Sequence, residues 1–530
     1  MIDQISRLCE INPNQINIKG KTTEKLGVIG KGKAIASEAI TLDTSPSHTY
    51  AVAGDYTVII SGTFPSIKFS NAGDKTKILS ISNLGAVGWT SLVSAFNGCS
   101  NIGEVYGGDT SNVTSMANMF KDATSATPDT SGWNTSNVTA MNAMFIAASA
   151  ANPDVSSWNT SNVTSMNRMF QAAASFNQDI GTKVVTVGGQ TYTAWDVSNV
   201  NNMKFMFRET NSFNGPIWNW NTSSVLNMRH MFSSASSFNH WIGTKSVTVG
   251  GQTYNAWDVS SVTNMSAMFS NGAPTVTQDI GNWDTSSVTN MSYMFFKTPI
   301  GYNNSWDISE KVVTVGGQTY TAWDVSNVQT MDHMFQGYNM FTSYFNDDIS
   351  NWNTSSLVDI NAMFHSSSAF DQNIGSWDVS NVTNAYQMFN GIALSIANYD
   401  SLLIGWESQN LQNNVVFSGG MSNYCNGDSA RTSLINNNGW TIYDGTLDCT
   451  ASIDDESIMH VSLYPNPVSD VLNIRGNTTE LSIVIYDILG KQIMRSRIMN
   501  SPDISLLDTG EYFVKLSDGK YTTTRKLIKN

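Results

Sequence analysis

The residues best placed to bind something form a row. Asp196, Asp258, Asp284, Asp324 and Asp378 each follow a tryptophan, at one fixed place in a phrase that recurs along the chain. Asn134, Asn159, Asn221 and Asn353 fill that place in other copies. If the tryptophan and the residue two further on point inward, strand alternation turns this position outward. A stacked row of carboxylates and amides can hydrogen-bond an extended partner, protein or glycan. Asp258, Asp284 and Asp324 are consecutive in the stack, so Ca²⁺ between them would relieve repulsion, although no D-x-D-x-D loop accompanies them. The competing use is local, because Asp, Asn and Ser close turns by bonding their own backbone.

Other reactive groups are sparse. Cys425 and Cys449 flank one compact segment, and they are either a disulfide formed after export or two separate buried thiols. Cys9 and Cys99 are isolated. The six histidines lack metal-ligand spacing, and there is no G-x-S-x-G, P-loop or C-x-x-C. Asp347 and Asp348 are adjacent and read as solvated loop acids, since a glycosidase needs two carboxylates across one cleft. No catalytic residue, cofactor or metal is expected, and the chain reads as a non-enzyme.

Composition narrows the class further. Of 530 residues, 13% are charged, and the net charge is −14, against about 25% charged in an ordinary soluble domain. That deficit argues against a coiled coil or a nucleic-acid binder. The 15 Trp, 18 Tyr and 23 Phe argue against disorder. No apolar run approaches the ~20 residues of a membrane span. The start, Met1-Ile2-Asp3-Gln4, has neither the basic residues nor the apolar core of a secretory signal.

The elements that must position the row come from the repeat itself. One copy reads Trp133-Asn134-Thr135-Ser136-Asn137-Val138-Thr139-Ala140-Met141-Asn142-Ala143-Met144-Phe145. It returns from Trp158, Trp195, Trp220, Trp257, Trp283, Trp323, Trp352 and Trp377, with a first copy lacking Trp at Asp109 to Phe120. The tryptophans are 25, 37, 25, 37, 26, 40, 29 and 25 residues apart, a base period typical of stacked repeats. Met291, Met294 and Phe295 sit at i, i+3 and i+4, which predicts a helical turn with Ser287 or Thr289 as its cap. Ile280, Trp283, Thr285 and Val288 match the opening of the leucine-rich template, L-x-x-L-x-L-x-x-N. No coil buries its apolar edge alone, so neighbours must stack. The expected fold is an α/β solenoid of about ten stacked leucine-rich-type coils with a parallel sheet, plus a small C-terminal β-sandwich. Trp, Val, Met and Phe would form its core columns.

Three near-identical inserts, from Val185, Val247 and Val313, join two alternating runs through Gly-Gly and predict β-hairpins. They either tile as one six-stranded flanking sheet or project independently. The expected domains are a β-rich segment over 1–90, either cut short at its start or merely a cap on the solenoid, the repeats over 91–390, an atypical last coil over 391–452 and a β-sandwich over 453–530. Residues His48 to Ile60 resemble the closing strands of a polycystic-kidney-disease-type β-domain. Residues 453–530 hold nine Lys or Arg and no Trp, and 133–389 hold only eight Lys or Arg.

The phrase Trp-Asp/Asn-Thr/Val-Ser-Asn/Ser-Val-Thr-x-Met-x-x-Met-Phe, followed by Phe-Asn-Gln-Asp-Ile as at Phe176 to Ile180, resembles the BspA-type leucine-rich repeat surface proteins of bacteria. Ile360 and Ala385 depart from it at the first Met, and Leu357 at the Val. The tail resembles the type IX (Por) secretion sorting domain of Bacteroidetes. Leu463-Tyr464-Pro465-Asn466-Pro467, Val471 to Ile474, Ile485 to Lys491, Leu507 to Tyr512 and Lys526 to Lys529 carry that likeness in order. The two resemblances imply a protein secreted or held at the outer-membrane surface, its tail read by the secretion translocon. They imply adhesion or protein and glycan interaction, with a carbohydrate-binding accessory or extracellular glycan-degrading protein as the alternative. They also imply a signal peptide, so either the start is truncated or this copy stays inside.

Overall fold

The computed structural model describes residues 17–21, 34–37, 54–59, 63–271, 280–298, 307–337, 345–449, 462–464, 466–475, 481–488, 490–498, 502–517 and 522–530. Cys9, His48 and the end of the 391–452 segment lie outside them. The chain divides into two compact units, 1–446 and 447–530.

In the first unit successive copies of the phrase lie on one another. The residue before each first Met pairs in parallel with its counterpart one coil on, from Ser115 and Ala140 through Asn202, Asn227 and Asn264 to Asn384. Alternate backbone N–H groups then donate into the next coil. Met203 N, Phe205 N and Phe207 N donate to the carbonyls of Asn227, Arg229 and Met231 at 3.0, 2.9 and 2.9 Å.

Two local expectations differ from this backbone. The Met-x-x-Met segment is a turn and not a helix, because its third residue takes the left-handed conformation in every coil. Arg168, Phe205, His230 and Tyr293 have φ of 60°, 60°, 54° and 59°. A right-handed helix cannot include such residues, and the N–H groups that would close helical bonds are committed to the next coil. The Trp-Asp segment is likewise a turn and not a strand. The Asp284 carboxylate accepts from Ser286 N at 3.1 Å and Ser286 Oγ at 2.6 Å, which bends the chain there. Burial follows the sequence pattern all the same: Met203, Met206, Phe207 and Trp220 are fully buried.

Aromatic columns run through the stack. Trp195, Trp220 and Trp257 lie face to face, with centroids 6.1 and 6.4 Å apart. Phe170, Phe207 and Phe232 do the same at 5.8 and 5.7 Å. The indole N–H groups of these three are clipped to carbonyls of the coil before: Trp195 to Val155, Trp220 to Ile180 and Trp257 to Ile217, all at 2.8 Å. Buried threonines add inter-coil bonds, Thr160 to the Asp196 carbonyl and Thr222 to the Asp258 carbonyl, both at 2.7 Å. These polar clips satisfy groups that burial would otherwise penalise, and they set coil register.

The inserts form three separate antiparallel pairs, Lys183–Val187 with Gln190–Ala194, Lys245–Val249 with Gln252–Ala256, and Lys311–Val315 with Gln318–Ala322. Both turn glycines are left-handed in each, as at Gly188 (58°) and Gly189 (80°), the geometry a two-residue hairpin demands. No common ladder links the three. Asn255 Nδ2 reaches Gln318 Oε1 at 3.1 Å, so these edges meet through side chains. Tyr192, Tyr254 and Tyr320 pin the hairpins by donating to the carbonyls of Ser157, Asn219 and Asn282.

The array is covered at both ends. Strands Asn17–Lys21, Ala34–Ser37, Asp55–Ile59 and Ile78–Asn83 share a six-stranded sheet with Glu104–Val105 and Thr127–Pro128 of the first coils. At the other end stand helices α1 (Ile396–Glu407) and α2 (Asp428–Asn438), with the parallel strands Val416–Ser418 and Thr441–Tyr443. The nearly inaccessible Asp400 carboxylate accepts the backbone N–H of Cys425, Asn426 and Gly427. Arg431 makes a two-pronged pair with the buried Asp444 carboxylate, at 2.8 and 2.7 Å.

In the second unit, strands Leu481–Asp487, Gln492–Ile498, Gly510–Ser517 and Thr522–Lys529 form an antiparallel sheet beside the pair Ser462–Tyr464 and Asn473–Arg475. Alternate residues of the central strands, Ile483, Ile485, Val514 and Leu516, are fully buried with Leu472 and Leu527.

Candidate functional site

The five aspartates of the expected row do occupy equivalent positions, each half-buried. One oxygen of each carboxylate closes the turn that follows. Asp196, Asp258, Asp284, Asp324 and Asp378 accept from the backbone N–H of Ser198, Ser260, Ser286, Ser326 and Ser380 at 2.9–3.1 Å. Asn134 and Asn159 do the same for Ser136 and Ser161. An amide oxygen replaces the carboxylate there without loss, which is the mark of a turn cap. Among the described residues no group of three or more His, Cys, Asp or Glu is placed to hold a metal ion.

The repeated polar residues are thus engaged within the stack, while the two residues between the methionines differ from coil to coil and are presented outward. In three successive coils they read Asn167-Arg168, Lys204-Phe205 and Arg229-His230. The side chains converge. Arg168 lies over the Phe205 ring at 4.3 Å from its centroid, Lys204 at 5.1 Å, Arg208 at 5.7 Å and Arg229 at 5.9 Å. The His230 ring stacks on the same phenyl at 4.9 Å. Four of the eight Lys and Arg between residues 133 and 389 therefore gather on one phenyl ring. The ring's electron-rich face attracts each cation, which offsets part of their mutual repulsion.

Little negative charge answers them. Arg208 pairs with Glu209 at 2.7 Å, and Arg168 bonds the neutral Gln171 at 3.0 Å. Among the described residues, Arg168, Lys204 and Arg229 form no ion pair. The local potential shows in the titrating groups. His230 is pushed down to about 4, by burial first and then by Arg229, Arg208, Lys204 and Arg168. Lys204 is also lowered, by burial and then by Arg229 and Arg168. The ring is therefore neutral at pH 7, and its buried Nδ1 has no hydrogen-bond partner in the structure.

Beside this cationic shelf the face dips into a cleft of about 460 Å³. Arg229 and His230 form one wall, Ser266, Ala267 and Ser270 the floor, and Tyr293, Phe296 and Asp332 the other wall. Small residues at the floor coil create the depression, since the flanking coils carry rings at the same place. Tyr293 is stiffened by stacking on His333 at 4.4 Å and by an edge contact with Phe296 at 5.2 Å. Asn264, Asn271 and Asn290 supply amides around the rim. The lining suits recognition: cations at one side, hydroxyls and amides below, ring faces opposite.

Sequence reasoning missed this cluster. The available signal was the replacement of Asn or Ala by Arg and Lys between the methionines of three consecutive copies. The remaining candidates are structural or isolated. Cys425 and Cys449 are disulfide-bonded. Cys99 is a buried free thiol, pushed up to about 12 by burial. Asp348 closes a turn onto Ser350 N at 3.0 Å, and Asp347 is raised by burial and then by the Asp307 charge.

Four overlapping stretches, 90–190, 183–299, 250–315 and 307–423, match the family described as "Mycoplasma protein of unknown function, DUF285". Together they span more than half of the chain. The chain belongs to this family. Its repeats are thereby of a BspA-related kind. Residues 462–530 match the secretion system C-terminal sorting domain, which supports type IX sorting and marks the protein for export to the cell surface or exterior. Residues 1–43 match the YgbB family. There the chain is similar to the bifunctional enzyme IspD/IspF of Pelagibacter ubique, 68% identical over 40 residues, which is 8% of this chain and 11% of that protein. It is also 50% identical over 38 residues to the 2-C-methyl-D-erythritol 2,4-cyclodiphosphate synthase of Geobacillus kaustophilus, 7% of this chain and 24% of that protein. The chain spans only a small part of either relative. The likeness falls inside the stretch expected as one β-rich cap, where eleven of 43 residues are charged, a richer charge than in the repeats that follow. No helix of the described residues is long and apolar enough to cross a membrane.

Proposed function

We propose that the exported repeat region is a solenoid of the leucine-rich type, its helices replaced by left-handed turns, and that it mediates adhesion or interaction with an extracellular protein or glycan. The observation that carries this reading is the division of labour between the two kinds of polar residue. Those that repeat are engaged inside the stack, and those that vary line one outward face with a cleft. A rigid stack presenting variable side chains at a fixed step recognises extended partners well, because little ordering entropy is lost on binding. The reading is of a binding protein and not an enzyme, and the alternative role as a carbohydrate-binding accessory uses the same cleft. The test is binding of the full chain to arrays of extracellular-matrix proteins and glycans, with Tyr293→Ala/Phe296→Ala as the cleft variant and Val312→Ala on an exposed hairpin as control. A ligand lost by the cleft variant and kept by the control supports the assignment. Equal binding by all three proteins moves the site elsewhere.

A further inference from the structure

We propose that the cleft takes a carboxylated or sulfated sugar chain, with its anionic groups held by Arg168, Lys204, Arg208 and Arg229 around Phe205 and a sugar face lying against Tyr293 and Phe296. This rests on the cleft being the binding site, and it names the ligand class.

Charge complementarity carries the first half. A chain with a net charge of −14 places four cations around one phenyl ring, and only Arg208 among them has a carboxylate partner. Assembling like charges is unfavourable unless something answers them. An anion arriving at the shelf is repaid by relief of that repulsion and by charge-assisted hydrogen bonds, bidentate where it meets a guanidinium. The backbone adds a second cost, since Arg168, Phe205 and His230 sit in the left-handed region, which bulky side chains disfavour. Ala143, Ala267 and Ala362 hold the same place in other coils. The fold does not need the larger residues there.

The saccharide half comes from step and lining. Arg168, Lys204 and Arg229 ride on consecutive coils, whose backbones are bonded directly, Arg168 N to the Lys204 carbonyl and Phe205 N to the Arg229 carbonyl, both at 2.9 Å, which sets a strand-like step of about 4.8 Å. That step is close to the length of one pyranose unit, so successive sugars meet successive cations. Beyond Arg229 the lining turns to hydroxyls, amides and rings, with Ser266, Ser270 and Asn271 facing Tyr293 and Phe296, and the Asp332 carboxylate stands at the far end. Hydroxyls and ring C–H faces fit those groups. Phe205 is itself unavailable to stack on a base, because it is buried under Arg168 and His230.

The test uses the full chain with four defined polymers: polygalacturonate (carboxylates only), dextran sulfate (sulfates on a neutral backbone), unmodified dextran and single-stranded DNA. Binding is measured by calorimetry at 50 and 200 mM salt, for the wild type, R168Q/K204Q/R229Q, the single R229Q and Tyr293→Ala. The expected result is binding of polygalacturonate or dextran sulfate, the stronger of the two identifying the anion, and none of dextran. Loss of roughly tenfold per cation removed is expected, with a further loss for Tyr293→Ala. As an independent readout, the His230 ring should titrate at higher pH when the polyanion is bound. Unchanged affinity in both cation variants would overturn the proposal. Equal binding of single-stranded DNA, indifferent to Tyr293→Ala, would overturn its saccharide half. If a neutral glycan or matrix protein binds, is lost in Tyr293→Ala and ignores the cation variants, this inference fails while the cleft assignment stands. If nothing that binds responds to Tyr293→Ala, both fall.

Discussion

Trp220 sits in the middle of the tryptophan column and tests how the array is held together. The side chain is fully buried. It stacks on Trp195 at 6.1 Å and on Trp257 at 6.4 Å, lies 6.2 Å from Phe207, and donates its N–H to the Ile180 carbonyl at 2.8 Å. Trp220→Ala removes a large apolar volume between two coils that have no freedom to collapse, because their backbones are bonded to further coils. The cost should reach about 5 kcal/mol, the upper end for Trp→Ala, since the Ile180 carbonyl also loses its donor in a dry core. Trp220→Phe keeps a ring in the column and loses the clip, so about 2 kcal/mol is expected. Coil stability is a sum of nearest-neighbour terms. The loss should therefore appear first between residues 180 and 269, and coils near residues 116 and 388 should stay protected. Hydrogen exchange resolved by peptide, beside urea denaturation, measures both. Uniform loss of protection along the array would refute the nearest-neighbour account, and a phenylalanine variant as unstable as the alanine one would refute the partition between ring and clip.

Two further outcomes follow from side chains already described. Replacing Asp258, Asp284 and Asp324 together by Asn should change stability by less than about 0.5 kcal/mol, since Asn134 and Asn159 already close equivalent turns; a large drop in Tm, or one that Ca²⁺ governs, would contradict the capping role. His230 tests the potential of the cationic shelf through pH. Its folded pKa of about 4 lies below the ordinary 6.5, so the folded ring is neutral where the unfolded one takes a proton. Stability is full above about pH 6.5 and is lost as pH falls toward 4, by about 1–2 kcal/mol after discounting for solvent screening at this half-exposed site. His230→Gln should flatten that part of the pH profile relative to wild type, and R168Q/K204Q/R229Q should raise the ring's titration point in NMR. A ring that titrates near 6.5 in the wild type would remove the shelf's field.

How far each feature could be read ahead depends on whether neighbours in space are neighbours in the chain. The burial of Met203, Met206 and Phe207 follows from their spacing, yet the helix that spacing suggests does not form. A periodic pattern reports which side chains are sheltered; the conformation that shelters them depends on where the backbone N–H groups find acceptors, and here they find them in the next coil. The hairpins were legible because Gly188 and Gly189 tolerate the left-handed turn that a two-residue loop requires. Whether the three would merge was not legible, because it depends on the spacing of coils that bring Asn255 and Gln318 together from 63 positions apart.

The amino-acid sequence by itself determined the coil period, the residues of the core columns, the turn-forming places and the separate character of the tail, since each is a property of a short segment. It also displayed the aspartate row, but not its use, which rests on a bond from each carboxylate to a serine N–H two residues on. Only the tertiary structure decided that Arg168, Lys204, Arg208 and Arg229 share one phenyl ring and that Arg229 carries this cluster to the wall of a cleft. Those residues lie up to 61 positions apart, and within any one copy a lone cation reads as an ordinary solvated surface residue. Stacking places consecutive coils a few ångströms apart, and at that distance isolated charges act as a single electrostatic feature.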